Sequence, residues 1–312
     1  MPLHPQAQAI VDAANAAGVP FEAGDAAAIR ASYGASTRLY VHPTPALDSV
    51  VNLMIPGPGG NLPVRIYRPR TQSDRPLPAV AFFHGGGWAV GDLDTHDHLC
   101  RSLAGHAGVA LMAVDYRLAP EYPFPAASDD ALAATRWLSA NAVEMGLDPT
   151  RLAVAGDSAG GNLAAAVTLA WRTLDLPKLR YQLLIYPALD FTADNESLRV
   201  NGSGYMLTRQ AMDQFTSWYL PDPGRRTDPQ ASPFLAADLN NLPAALIITA
   251  GFDPLRDEAI AYAEKLRAAG IAVAHDHYDD MIHGFARMGG RLDTARVALE
   301  RSAQKLREAL LG

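Results

Sequence analysis

The sequence predicts an α/β protein in which a mostly parallel sheet of about eight strands is covered by helices on both faces. Two observations support this class. Short runs rich in Val, Ile, Leu and Phe, bounded by Gly or Pro, alternate with longer amphipathic stretches, as in a doubly wound fold. The 312 residues are 49% hydrophobic and 19% charged, so the chain can build one substantial core with insertions and is not a disordered protein.

The first two predicted strands differ from those that follow. Residues 50–55 and 62–68 flank the turn PGPGGN, which suits a hairpin and therefore an antiparallel edge of the sheet. The remaining strands are predicted at residues 79–83, 109–114, 151–155, 181–186, 245–250 and 273–278.

Helices are predicted between these strands. Ser128 is placed to cap a helix over residues 129–145 that ends at Gly146. Further helices are predicted over residues 159–171, 255–269 and 293–311. In α/β folds of this kind, functional groups collect at the carboxyl ends of the strands.

Two segments interrupt the alternation of strands and helices. Residues 1–45 read as one or two Ala-rich helices, the first ending at Gly18, and residues 190–240 are too long for an ordinary connection. In the second segment, Thr208 is placed to cap a helix whose apolar face is formed by Met212, Phe215, Trp218 and Tyr219. This helix is either a surface helix packed on the core or a lid over a pocket.

Composition excludes several classes of partner. Twenty-six basic residues stand against 33 acidic ones, giving a net charge of −7 with the basic residues dispersed, so we expect no nucleic-acid partner. The one cysteine, Cys100, allows no intrachain disulfide and no thiolate metal cluster. No apolar run is long enough to cross a bilayer, and the first residues lack the features of a secretory signal. We therefore expect a cytoplasmic protein without a membrane partner.

The sharpest local signal is the motif GDSAGG at residues 156–161, between a predicted strand and a predicted helix. A GxSxG sequence in this context places the serine, Ser158, on a sharp turn above the edge of the sheet, with small residues needed on either side. The following helix directs its N–H groups toward the serine. A phosphate-binding loop is not favoured, because no Lys-Ser/Thr pair follows the glycines. A dinucleotide-binding fold is not favoured either, because the chain has no GxGxxG motif at its first parallel strand.

A serine nucleophile needs a base and an acid that orients the base. His283 in MIHGF and Asp253 in GFDPLRDE each follow a predicted strand, so both are expected at the same edge of the sheet as Ser158. The order Ser158, Asp253, His283 is the serine–acid–histidine order of α/β-hydrolases. Asp257 is the rival acid, but it falls one turn inside the next helix. There its negative charge is expected to interact favourably with the positive end of the helix dipole.

The run HGGGW at residues 84–88 directly follows a predicted strand. Three consecutive glycines allow the backbone to turn its N–H groups into a site, although a flexible turn is the alternative. In the hydrolase interpretation, the N–H groups of Gly85, Gly86 and Ala159 hold the oxyanion of a tetrahedral intermediate.

Together, HGGGW, GDSAGG, DPLRDE, IHGF and the segment DYRLAPEYPFP at residues 115–125 resemble the bacterial hormone-sensitive-lipase-like esterases of the α/β-hydrolase fold. The resemblance implies Ser158 as nucleophile, His283 as base, Asp253 as its partner, and the same three oxyanion donors. It also implies a helical cap. Residues 46–189 and 241–312 would then form the catalytic domain, with 1–45 and 190–240 as two cap segments.

Three further features of the sequence lie outside these functional assignments. Asp279-Asp280 stands where the family more often has a Pro-Gly-like turn. Arg117 and Glu121, in DYRLAPE, are interpreted as part of a structural network beneath the oxyanion turn, together with Asp115. The pairs His96 with His98 and His275 with His277 could each offer two imidazoles to a metal, but no third ligand is evident.

The sequence thus predicts a serine carboxylesterase without cofactor or metal, acting on a small-molecule ester as a monomer or homodimer. The resemblance implies short to medium acyl chains. Candidates for the acyl and alcohol pockets, with core packing as their alternative role, are Trp88, Tyr33, Leu207, Met212 and Phe215. An amidase or peptidase with the same triad, and a non-catalytic binding protein on the hydrolase scaffold, remain the alternatives.

Overall fold

The computed structural model describes residues 2–17, 25–72 and 75–312. The strands in this part of the chain are β1 (Leu47–Gly57), β2 (Gly60–Pro69), β3 (Leu77–Phe83), β4 (Ala110–Val114), β5 (Leu147–Asp157), β6 (Tyr181–Ile185), β7 (Ala244–Phe252) and β8 (Val273–Ile282). They form one sheet in the order β1-β2-β4-β3-β5-β6-β7-β8. The pairs β1–β2 and β2–β4 are antiparallel and the others are parallel, which confirms the predicted fold class and the antiparallel hairpin at one edge.

The described helices are α1 (Pro5–Ala17), α2 (Ala26–Thr37), α3 (Asp97–Ala107), α4 (Ala126–Asn141), α5 (Ala159–Trp171), α6 (Glu196–Asn201), α7 (Arg209–Tyr219), α8 (Arg256–Ala268) and α9 (Asp293–Leu311). Helices α5 and α9 have the predicted bounds. Thr208 Oγ1 accepts a hydrogen bond from the Ala211 N–H at 3.1 Å, so the predicted cap of α7 is confirmed. The predicted end of the first helix at Gly18 lies outside the described residues.

The core forms on both faces of the sheet because successive side chains of a strand point to opposite faces. On β3, Ala79, Ala81 and Phe83 pack on the side of α4, α5 and α8. The alternate residues Val80 and Phe82 pack on the side of α3 and α9. Because β3, β5, β7 and β8 run parallel, their carboxyl ends lie at one edge of the sheet, where the predicted functional residues follow.

Helix α4 begins earlier and ends earlier than predicted. It starts at Ala126, and Ser128 lies inside its first turn, where its hydroxyl donates to the Pro125 carbonyl at 2.9 Å and does not cap the helix. The helix ends at Asn141, since the Leu147 N–H returns to the Ala142 carbonyl at 2.8 Å. The prediction was wrong because Ala126 and Ala127, which favour helix, extend it past the serine.

Across the described ranges, every helix is too short or too polar to cross a bilayer.

Candidate active site

Ser158 occupies a strained turn between β5 and α5. Its backbone angles are φ 55° and ψ −117°, a combination rarely adopted by a residue with a side chain. The turn is possible because Gly160 packs directly against the Phe83 carbonyl, where a Cβ atom would collide. The Ser158 N–H is fixed by the Ile185 carbonyl of the neighbouring strand at 2.8 Å. The hydroxyl is thereby held above the sheet at the start of α5.

The structure brings Ser158, His283 and Asp253 into one hydrogen-bonded line. The Ser158 hydroxyl lies 2.9 Å from His283 Nε2, and His283 Nδ1 lies 2.8 Å from Asp253 Oδ2. A proton on Nδ1 suits both contacts, because the carboxylate accepts and Nε2 is then free to accept the hydroxyl proton. Asp253 is fully buried, and its second oxygen accepts from the Leu255 N–H at 2.8 Å. The arrangement can therefore remove a proton from the serine hydroxyl.

Asp257, the rival acid, lies away from this line. Its Oδ1 accepts from Arg256 Nε at 2.8 Å, and its Oδ2 accepts from the Ser197 N–H at 2.7 Å. It lies in the first turn of α8, as expected from its position after the strand. Its contacts connect α6 with α8.

In the loop after β3, the structure differs from the prediction that Gly85 is an oxyanion donor. The Gly85 N–H donates to Asp157 Oδ1 at 2.8 Å and Gly85 does not line the cavity beside Ser158, so it is not placed as an oxyanion donor. Gly86, Gly87 and Ala159 do line the cavity. Among the described residues, none accepts a hydrogen bond from the N–H groups of these three. Gly87 was missed because adjacent glycines are equivalent in sequence, and the carboxylate that distinguishes them lies far along the chain.

Asp157 ties this loop to the turn that carries the serine. Its carboxylate is buried, and His96 Nε2 lies 3.4 Å from Oδ1. Burial alone would raise the pKa of Asp157, but the attraction of His96 and the hydrogen bond from the Gly85 N–H outweigh it and lower the pKa. Asp157 is therefore an ionised acceptor that holds Gly85 in place.

Arg30 of α2 also fixes the loop after HGGGW. Its Nε donates to the Ala89 carbonyl at 2.8 Å, and its guanidinium pairs with Glu121 at 2.6 Å. This contact agrees with the interpretation of Glu121 as a structural residue near the oxyanion turn. Arg117 instead donates to Asp130 of α4, with contacts of 2.9 and 2.8 Å.

The spaced histidines are engaged by protein groups. His275 Nε2 and His277 Nδ1 lie 2.8 and 2.7 Å from the Thr249 hydroxyl. His98 Nε2 lies 2.7 Å from the Arg287 carbonyl. Within the described parts of the chain, no three side chains of His, Cys, Asp or Glu are grouped to hold a metal ion.

A cavity of about 610 Å³ opens above Ser158 and His283. All five predicted pocket residues lie on its wall: Trp88, Tyr33, Leu207, Met212 and Phe215. The indole of Trp88 stacks on the Tyr219 ring, with centroids 4.4 Å apart. Helix α1 supplies a further wall that the sequence analysis missed, formed by Ala9, Ile10, Ala13, Ala14 and Ala17. The spacing of small residues along one side of this helix is the sequence pattern that could have indicated this wall.

Glu258 of α8 is a buried carboxyl in the wall of the same cavity. Its Oε1 accepts a hydrogen bond from the Leu189 N–H at 2.6 Å. Burial raises the pKa of Glu258 to about 8, and the Leu189 hydrogen bond opposes this shift only in part. The carboxyl is therefore protonated at neutral pH.

We expect Glu258→Gln to remove a pH dependence of stability. Between about pH 4.5 and pH 8 the folded protein keeps a proton that the unfolded chain releases, so this carboxyl makes the free energy of unfolding fall as pH rises. Glutamine mimics the protonated acid. The variant should match the wild type near pH 5 and exceed it by on the order of 3 kcal/mol near pH 8.

Urea denaturation at several pH values measures this difference. Glu264→Gln, on the exposed side of α8, is the matched control and should follow the wild type. Parallel pH profiles for the wild type and Glu258→Gln would contradict the prediction.

The fold and the site together define an α/β hydrolase. A family model described as α/β-hydrolase fold matches residues 80–287. An ethyl acetate hydrolase of Pseudomonas putida is 40% identical over 309 residues, covering 96% of each chain. The carboxylic ester hydrolase LipN of Mycobacterium tuberculosis is 47% identical over 249 residues, which are 77% of this chain and 65% of LipN. The hyperthermophilic esterase of the archaeon Pyrobaculum calidifontis superposes with a TM-score of 0.93 at 39% identity, covering both chains completely.

These comparisons confirm the resemblance drawn from the motifs. The chain belongs to the hormone-sensitive-lipase-like esterases of the α/β-hydrolase fold.

Proposed function

We propose that the protein is a serine carboxylesterase that hydrolyses short- to medium-chain carboxylic esters through an acyl-enzyme. The observation that carries this proposal is the line of hydrogen bonds from Ser158 to His283 to Asp253, at 2.9 and 2.8 Å, at the base of a cavity. Relatives named as ester hydrolases support the same reaction.

In the proposed first step, His283 Nε2 takes the proton of the Ser158 hydroxyl as the oxygen attacks the ester carbonyl. The negative oxygen of the tetrahedral intermediate then accepts hydrogen bonds from the N–H groups of Gly86, Gly87 and Ala159. Each such donor lowers the barrier by about 3 kcal/mol. Asp253 holds the imidazole in orientation and stabilises its positive charge.

The intermediate collapses when the C–O bond to the alcohol breaks and His283 returns its proton to the departing oxygen. Water then repeats the sequence: His283 removes its proton, the hydroxide oxygen attacks the acyl carbon, and the acid leaves as Ser158 recovers its hydrogen. No cofactor is needed for these steps.

We also propose that residues 1–45 and 190–240 form a cap that sets substrate size. Helices α1, α2 and α7 each contribute to the wall of the cavity, which supports this role. Because the cavity is bounded by these helices, acyl chains beyond a moderate length should lack room.

A series of nitrophenyl esters from acetate to palmitate tests substrate size. We expect kcat/KM to be highest for acyl chains of up to about eight carbons and to fall for longer ones. A value that keeps rising to palmitate would contradict the proposal for the cap.

Two measurements on the purified protein test the reaction itself. An initial burst of nitrophenol from a simple ester is expected from an acyl-enzyme and would not arise from a non-catalytic binding protein. Faster cleavage of an ester than of its matched anilide is expected from an esterase. An anilide cleaved as fast as the ester would instead favour an amidase.

A further inference from the structure

The cavity contains a buried cation that the proposed ester chemistry does not use. Arg287 lies four positions after His283, lines the cavity and is only 6% exposed. Its guanidinium carbon lies 4.0 Å from the centroid of the Tyr33 ring and 5.4 Å from that of Tyr40. Its Nη1 donates a long hydrogen bond of 3.4 Å to the Thr37 hydroxyl. The side chain is thus held in one position against α2 and the residues that follow it.

Within residues 2–17, 25–72 and 75–312, no Asp or Glu forms an ion pair with this guanidinium. Arg117, in contrast, is paired with Asp130 through two nitrogens. The charge of Arg287 helps to lower the pKa of Asp157, but the two groups form no ion pair. The Asp157 carboxylate instead accepts from the Gly85 N–H and lies near His96. A buried charge without a partner is costly, and ring contacts compensate only part of that cost.

The free edge of the guanidinium is the one suited to a carboxylate. Nη1 is used by Thr37, whereas Nε and Nη2 have no hydrogen-bond partner among the described residues. Neither atom belongs to the fully buried unpartnered polar atoms of that part of the chain, so both keep some accessible surface, on a residue that lines the cavity. The N–H groups of Nε and Nη2 point the same way and match the two oxygens of a carboxylate.

We propose, on the basis of the proposed function, that Arg287 binds a free carboxylate carried by the ester substrate. The substrate class would be half-esters of dicarboxylic acids or esters of hydroxy acids that keep their acid group. Ser158 and His283 line the same cavity as Arg287, so the nucleophile, its base and this cation face one shared space. Arg287 is then a specificity residue that leaves the bond-breaking steps unchanged.

Two matched pairs of substrates test this proposal by titration of the acid released. Ethyl hydrogen glutarate against ethyl pentanoate places the carboxylate on the acyl side, and 4-acetoxybutanoate against butyl acetate places it on the alcohol side. In at least one pair, the wild type should cleave the acid-bearing ester with the higher kcat/KM. A higher kcat/KM for the neutral ester in both pairs would overturn the proposal without using any variant.

Arg287→Met should lower kcat/KM for the preferred acid-bearing ester by roughly 10- to 100-fold, the loss of one charged pair, mainly through KM. The neutral partner should change by less than about threefold. Arg287→Lys, which keeps the charge without the fork, should recover part of the preference. Arg307→Met removes an exposed positive charge on α9, which is not part of the cavity wall, and should leave the ratio unchanged.

A purely structural role for Arg287 would lower both members of a pair equally, and that result would overturn the proposal. If the wild type cleaved neither neutral nor acid-bearing esters, the proposed esterase function would fail instead. The two failures are therefore distinguishable.

Discussion

Ser158→Ala is expected to lower kcat for a nitrophenyl ester by roughly 10⁵- to 10⁶-fold. The methyl group cannot attack a carbonyl, so only the oxyanion donors and binding in the cavity remain to accelerate hydrolysis. The expected residual rate is that of water attack on a bound ester. Steady-state kinetics at saturating substrate give the comparison directly.

Two controls accompany this variant. Ser217→Ala, at an exposed position of α7, should retain wild-type kinetics. An organophosphonate should label the wild type and Ser217→Ala but not Ser158→Ala, with the adduct on the peptide that contains Ser158. Undiminished turnover by Ser158→Ala, or a phosphonate adduct on another residue, would refute the assignment of the nucleophile.

Asp253→Asn is expected to lower kcat by about 10⁴-fold while leaving KM nearly unchanged. The amide can present its NH₂ group to His283 Nδ1 and favour the tautomer whose Nε2 carries a proton, which cannot accept the hydrogen of Ser158. It also removes the charge that stabilises the protonated imidazole.

Asp257→Asn is the matched control because this acid lies only four positions after Asp253, in the first turn of α8, but contacts Arg256 and Ser197. Its kcat should stay within about threefold of the wild type, although its thermal stability is expected to fall. A larger loss of kcat from Asp257→Asn than from Asp253→Asn would show that the acids had been assigned in the wrong order.

Much of the site could be predicted because its chemistry depends on local patterns at strand ends. Ser158 lies in a motif whose glycines are required by the turn itself. The sequence favours Asp253 as the acid because it directly follows a strand, whereas Asp257 does not. The hairpin and the alternation of strands and helices were readable from periodicity. The order of strands in the sheet was not, since periodicity carries no information on which strands are neighbours.

The features that escaped prediction depend on contacts between distant parts of the chain. Gly85 loses its N–H to Asp157, and neither residue's own sequence surroundings indicate that pairing. Arg287 has an ordinary sequence context, and its unpaired state follows only from what the fold places around it. The start of α4 was misjudged because Ser128 has the chemistry of a cap but its hydroxyl finds a different partner.

The anchoring of α2 limits how molecules move through this enzyme. Arg30 donates to the carbonyls of Ala89 and Ala119 and pairs with Glu121, while Arg287 stacks beneath Tyr33 of the same helix. A helix tied at two places to the body of the protein is expected to act as a fixed wall. We therefore expect reactants and products to pass beside α2 without its displacement.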